Sequence, residues 1–170
     1  MFKKIIAAVV LFALTMVVVV QAMEKENTSA NQPPGVDIGF KAKDFELQTI
    51  DGKTVKLSDY KGQRIMLNFW TTWCPPCKAE MPDMEALHKE KGEEIKIVSV
   101  NIDPDNDVAG FVEEYGLTFP ILLDKKEDVM KQYNIISIPT TFFIDEDGII
   151  KQKIIGAIPL DKMKEYLSDL

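Results

Sequence analysis

The sequence predicts an α/β fold in which one mixed sheet is covered by helices on both faces. Three observations carry that reading. Short apolar runs rich in Ile, Val and Phe alternate with helical patterns through the middle of the chain. Two further runs then enclose Asp145-Glu146-Asp147-Gly148, a hairpin signal, and a helical pattern closes the chain. Ahead of all these stands another hairpin, turned on Asp51-Gly52. Strand–helix–strand units give parallel neighbours and hairpins give antiparallel ones, so one sheet must hold both kinds.

Taken in order, Asp44–Leu47 and Thr54–Leu57 flank the first turn and form an N-terminal β-hairpin extension. Ile65–Trp70 is a short apolar run that reads as a central strand. Pro75 to Lys91 is helical in pattern, and Ile95–Asn101 is a strand. Asp103-Pro104-Asp105 reads as the opening of a helix that runs to about Tyr115, where Gly116 stops it. Ile121–Leu123 follows as a short strand and Glu127–Tyr133 as a short helix. Thr140–Ile144 and Ile149–Ile155 are the strands of the last hairpin, and Leu160–Leu170 is the closing helix. The acidic stretches Asp103–Asp107 and Asp145–Asp147 are turns and caps.

A chain of 170 residues, 46% apolar, fits one domain. Its formal charge of −7 excludes a nucleic-acid binder, because nothing in the balance would neutralise phosphates. Two cysteines make no disulfide framework, and with the single histidine, His88, they cannot build a four-ligand zinc site. His88 sits at the edge of an apolar helical arc and reads as a hydrogen-bonded structural residue.

Residues 1–22 stand apart from the domain. Lys3 and Lys4 precede an apolar run from Ile5 to Val20 broken only by Thr15, with no acidic residue before Glu24. Such a run reaches roughly 24 Å as a helix, close to a bilayer's hydrocarbon core. The lysines favour a cytoplasmic start, so the domain would lie on the extracytoplasmic side. Val20-Gln21-Ala22 would serve as a signal-peptide cleavage site, but the length of the run favours an uncleaved anchor. Residues 23–35 are polar, end in Pro33-Pro34-Gly35 and read as a linker, which leaves 36–170 as the domain. Without Lys3 and Lys4 the remainder carries −9.

Both cysteines lie in Trp73-Cys74-Pro75-Pro76-Cys77, directly after a strand and at the start of a helix. Backbone N–H groups and the helix dipole stabilise a thiolate at that position, and Pro75 suits the first helical turn. Cys77, three residues on, is near enough to close a small-ring disulfide with Cys74. Around the helix, Glu80 falls within the apolar arc of Cys77, Met81, Met84 and Leu87. A carboxylate there would be pushed up by burial and become a usable proton acceptor or donor for Cys77. Trp70 reads as core, and Pro82 as a kink inside the helix.

WCPPCKAEMP after the strand IMLNFW, with ISIPTTFFID some sixty residues later, resembles the thioredoxin-like proteins of the TlpA/ResA type from about Val36 to Leu170. The resemblance implies a thioredoxin fold, a redox-active Cys74–Cys77 disulfide in place of any other cofactor, and a cis peptide at Ile138–Pro139 packed on it. It also implies reduction of disulfides in partner proteins, as in cytochrome c maturation or endospore formation, with electrons drawn from a membrane thiol donor. Cys74 would be the exposed attacking thiolate and Cys77 the resolving one. Trp73 would cover the disulfide, while Ile138 and Pro139 would hold an extended substrate segment. The family motif carries glutamate at the position of Glu80. Cytoplasmic thioredoxins have an aspartate where this chain has Asn68, so the acid–base duty would pass to Glu80. The protein is expected to act as a monomer held to the membrane by its N-terminal helix.

Three rival activities share this scaffold. A thiol peroxidase would use Thr71 before Cys74, but Leu67 replaces the proline of its motif and the sole arginine, Arg64, precedes the site. A Cu(I)-binding module could use the two thiolates, but the cysteine spacing is one residue short and His88 is about three turns away. A disulfide-forming thiol oxidase differs only in direction. No helical insertion separates Cys77 from Pro139, which favours the reductant.

Overall fold

The computed structural model describes residues 15–17, 34–92 and 94–170. The expected anchor over 1–22 lies outside the described residues except for 15–17, which are helical. Among the described residues no helix is long and apolar enough to cross a membrane. The compact unit that carries the site runs from Pro34 to Leu170, so the last two residues of the expected linker belong to it. They form β1 (Pro34–Gly35), which pairs in parallel with β2 (Lys41–Ala42).

The main sheet has seven strands: β3 (Glu46–Thr49), β4 (Thr54–Lys56), β5 (Arg64–Trp70), β6 (Ile95–Asn101), β7 (Ile121–Leu123), β8 (Thr140–Ile144) and β9 (Ile150–Ile155). Their order is β4-β3-β7-β6-β5-β8-β9, with β5, β6 and β7 parallel and every other pairing antiparallel. The first hairpin therefore extends the sheet beyond β7 and the last hairpin closes the other side, which leaves β4 and β9 as edges. β5 lies in the interior and is buried along nearly its whole length, as its apolar sequence, interrupted only by Asn68 after Arg64, requires.

Alternation along the strands divides the core in two. Met66, Trp70, Ile97 and Phe143 face α1 (Pro75–Lys91), α2 (Val108–Tyr115) and α4 (Leu160–Ser168). Leu67, Phe69, Val98 and Phe142 face the opposite side, where α3 (Asp128–Gln132), Phe45 and Tyr133 cover them.

One expected element is shorter than its sequence signals imply. The helix predicted from Asp103 begins only at Val108, capped by Asp107, whose carboxylate accepts the Gly110 N–H at 2.8 Å. Asp103 is an acceptor elsewhere: its Oδ2 takes the Thr72 hydroxyl at 2.7 Å and the Thr72 N–H at 3.1 Å. That bond ties the β6–α2 loop to the turn between β5 and α1.

Candidate active site

The turn after β5 delivers both cysteines to one end of the sheet. Cys74 caps α1 in an extended conformation, Pro75 and Pro76 fill the first helical positions, and Cys77 lies in the first turn. Cys74 and Cys77 form a disulfide with their Cα atoms 5.2 Å apart. The Cys77 N–H donates to Cys74 Sγ at 3.2 Å, so the first cysteine lies against the positive end of α1.

Cys74 is 2% exposed, against the expectation of an open attacking sulfur. Two local features produce this. The extended capping conformation turns its side chain back over the first helical turn. On the other side the Ile138 carbonyl oxygen lies 3.8 Å from Sγ. Ile138–Pro139 is a cis peptide; Ile138 is half-buried and Pro139 buried. The Thr140 hydroxyl bonded to Ser137 O at 2.6 Å and the Gly156 N–H bonded to Pro139 O at 2.8 Å hold this loop. Trp73, expected to cover the disulfide, is 63% exposed, and Trp70 is core. Ile136 and Ile155 are exposed as well, at or beside the cis-proline loop. The apolar rim is thus wider than the sequence indicated.

Glu80 lies one turn beyond Cys77 and is 1% exposed. Its Oε1 accepts from Asn68 Nδ2 at 2.9 Å and its Oε2 from the Ile158 N–H at 3.3 Å. Burial pushes this carboxyl up from its ordinary 4.5 to about 7, while the two hydrogen bonds oppose the rise. Neither donor is charged, so desolvation wins. Thr141 completes the cluster by accepting the second Asn68 Nδ2 proton at 2.9 Å. Thr141 and Ile158 were not among the expected site residues. The paired hydroxyls that open TTFFI are the available signal for Thr141, since alternation turns only one of them to the α1 face; nothing in the sequence marks a backbone N–H.

The bystanders separate clearly. Arg64 starts β5, and its Nη1 donates to Leu167 O at 3.2 Å, a strand's length of roughly 20 Å from the cysteine turn. His88 packs edge-on against Phe119 at 5.9 Å. Its Nδ1 is buried and has no hydrogen-bond partner among the described residues.

A disulfide capping a helix that follows a central parallel strand, set against a cis-proline loop, defines the class of thioredoxin-fold thiol-disulfide oxidoreductases. The chain belongs to the AhpC/TSA family, whose model matches residues 38–153. It is 38% identical over 171 residues to the thioredoxin-like protein YneN of Bacillus subtilis, an alignment covering 98% of each chain. It is 46% identical over 141 residues to the thiol-disulfide oxidoreductase ResA of Oceanobacillus iheyensis, covering 78% of this chain and 72% of that one. The crystal structure of StoA from Bacillus subtilis superposes with a TM-score of 0.65 at 38% identity, covering 73% of this chain and 96% of that one. The protein is a thiol-disulfide oxidoreductase acting on disulfide-containing substrates.

Proposed function

We propose that this protein works on the extracytoplasmic side of the membrane as an anchored reductant of disulfides in partner proteins, in a cytochrome c maturation or sporulation-type role. The observation that carries the mechanism is Glu80, buried one turn from Cys77 with its carboxyl near 7. In the reduced enzyme the Cys74 thiolate attacks a substrate disulfide, forms a mixed disulfide and expels one substrate thiolate. Cys77 then gives its proton to the Glu80 carboxylate and attacks Cys74 Sγ. The Cys74–Cys77 disulfide forms, the second substrate sulfur leaves, and Glu80 returns the proton to it. Two electrons pass from the dithiol to the substrate, and no further cofactor takes part. Trp73, Ile138 and Pro139 flank the sulfur pair and hold the substrate segment; a membrane thiol donor reduces the enzyme again. The basic start and long apolar run of residues 1–22 support the anchor, and the alignment with YneN extends over 98% of this chain. The protein is read as a monomer.

The test is the equilibrium reduction potential of the Cys74–Cys77 pair in the full chain against a thiol buffer. A value at or below about −250 mV marks a reductant. A value near about −120 mV marks an oxidant and removes the reductive role.

A further inference from the structure

Three central strands place polar side chains level with one another in the layer between the sheet and α1, and the register sets them side by side. Ser99 of β6 is the partner of Asn68 of β5, and Asn68 is the partner of Thr141 of β8. All three are fully buried. The Asn68 amide nitrogen spends its two protons on Glu80 Oε1 and Thr141 Oγ1, each at 2.9 Å. Among the described residues its Oδ1 has no hydrogen-bond partner, and neither has the hydroxyl of Ser99. A buried amide oxygen without a donor is costly, because it has given up water and gained nothing in return. Ser99 is its registered neighbour and has an unused proton. Trp70 Nε1, also buried and unpartnered, belongs to a ring packed 4.8 Å from Phe111 on α2.

We infer that Ser99 is a positioning residue: its hydroxyl donates to Asn68 Oδ1 through one bound water and locks the amide with Nδ2 turned to Glu80. The lock matters because an asparagine side chain has two faces. With Nδ2 forward it donates to an ionised carboxylate; turned over, it presents Oδ1, which repels the carboxylate and accepts from a protonated carboxyl. Ser99 therefore holds Glu80 toward its ionised, proton-accepting form. The other groups facing Glu80 are few among the described residues. On α1 these are Cys77, held in the disulfide, and Asp83, whose carboxylate accepts the Leu160 N–H at 3.1 Å. β5 and β8 contribute Asn68 and Thr141, and the segment before α4 contributes the Ile158 N–H.

The significance of this lock for turnover rests on the role proposed for Glu80, but its test reads the carboxyl itself. The Glu80 side-chain carbon is titrated by NMR in the full chain, in Ser99→Ala and in Ser99→Thr. Ser99→Ala is expected to raise the Glu80 midpoint, lowering the ionised-to-protonated ratio at a fixed pH by about threefold or more. Ser99→Thr, which keeps the hydroxyl, restores the midpoint. An unmoved midpoint in Ser99→Ala, or a displaced one in Ser99→Thr, overturns the inference. If Ser99→Ala does not fold, the Asn68 side-chain amide of the unmutated chain decides. A locked amide keeps one orientation and exchanges its protons slowly throughout the titration, whereas an amide that turns over as Glu80 protonates overturns the lock. An unchanged exchange rate in Glu80→Gln would remove the role of Glu80 while leaving the titration result standing.

Discussion

Helix α1 carries two buried glutamates five residues apart, Glu80 at 1% exposure and Glu85 at 6%, and they behave in opposite ways. Burial pushes Glu85 up as it does Glu80, but there the opposing interactions prevail. The Thr118 N–H and hydroxyl donate to Glu85 at 2.8 Å and 2.7 Å, and Lys89 Nζ lies 3.1 Å from it. Together they hold its carboxyl below the ordinary value. Glu80 has two neutral donors and, among the described residues, no cation beside it, and it stays near 7. Burial alone therefore does not make a carboxylate reactive; burial without a charged partner does. Glu85 straps the loop after α2 to α1, and Glu80 is left able to gain and lose a proton near neutrality.

The sharpest way to break this comparison is to neutralise each member. Glu80→Gln should slow disulfide exchange by about a hundredfold or more near neutral pH, since a positioned proton acceptor is worth that much. Glu85→Gln should leave the exchange rate within about twofold, a control set by its place in a strap rather than at the sulfurs. Stopped-flow reduction of a disulfide peptide reads both.

Stability against pH should divide the pair again, with opposite signs. Folded Glu80 binds its proton more tightly than in the unfolded chain, where its value is 4.5, so its help is complete below that pH and is lost as pH rises through about 7. Glu85 helps above 4.5, and that help is lost as pH falls through its depressed folded value. Above neutrality Glu80→Gln should thus be more stable than the unmutated chain by up to about 3 kcal/mol, and Glu85→Gln less stable. As pH falls, the Glu80 difference should be gone below 4.5, and the Glu85 difference should fade only as pH drops through its depressed folded value. Denaturant midpoints at three pH values decide it; a common sign for the two variants would break the comparison.

The smallest effect concerns the strap's components. Thr118→Val removes one hydroxyl donor to a buried carboxylate and should cost about 1–2 kcal/mol, while Lys89→Met, at an exposed partner, should cost a few tenths. Urea titration at pH 7 orders them.

The sequence made α1 readable to the residue because Pro75 opens it and Gly92 follows it. It marked Glu80 because a lone carboxylate interrupts an apolar arc. It misled at Asp103 because an acidic turn looks the same whether it caps the next helix or binds a distant backbone N–H; only the fold brings Thr72 near. The burial of Cys74 was hidden for a related reason, since it depends on a carbonyl sixty-four residues away. The alignment of Ser99, Asn68 and Thr141 depends on strand register, and each hydroxyl taken singly reads as an ordinary interruption of a strand.

The edges of the sheet carry a last consequence. β4 is only three residues long and bears Lys56, and β9 bears Lys151 and Lys153, whose Nζ lies 5.2 Å from the Phe142 ring centre. Short or lysine-bearing edges discourage strand-to-strand association between copies. An open sheet edge can recruit an extended chain by adding it as a further strand. These margins work against such recruitment, which makes the flanks of the sheet poor seeds for aggregation.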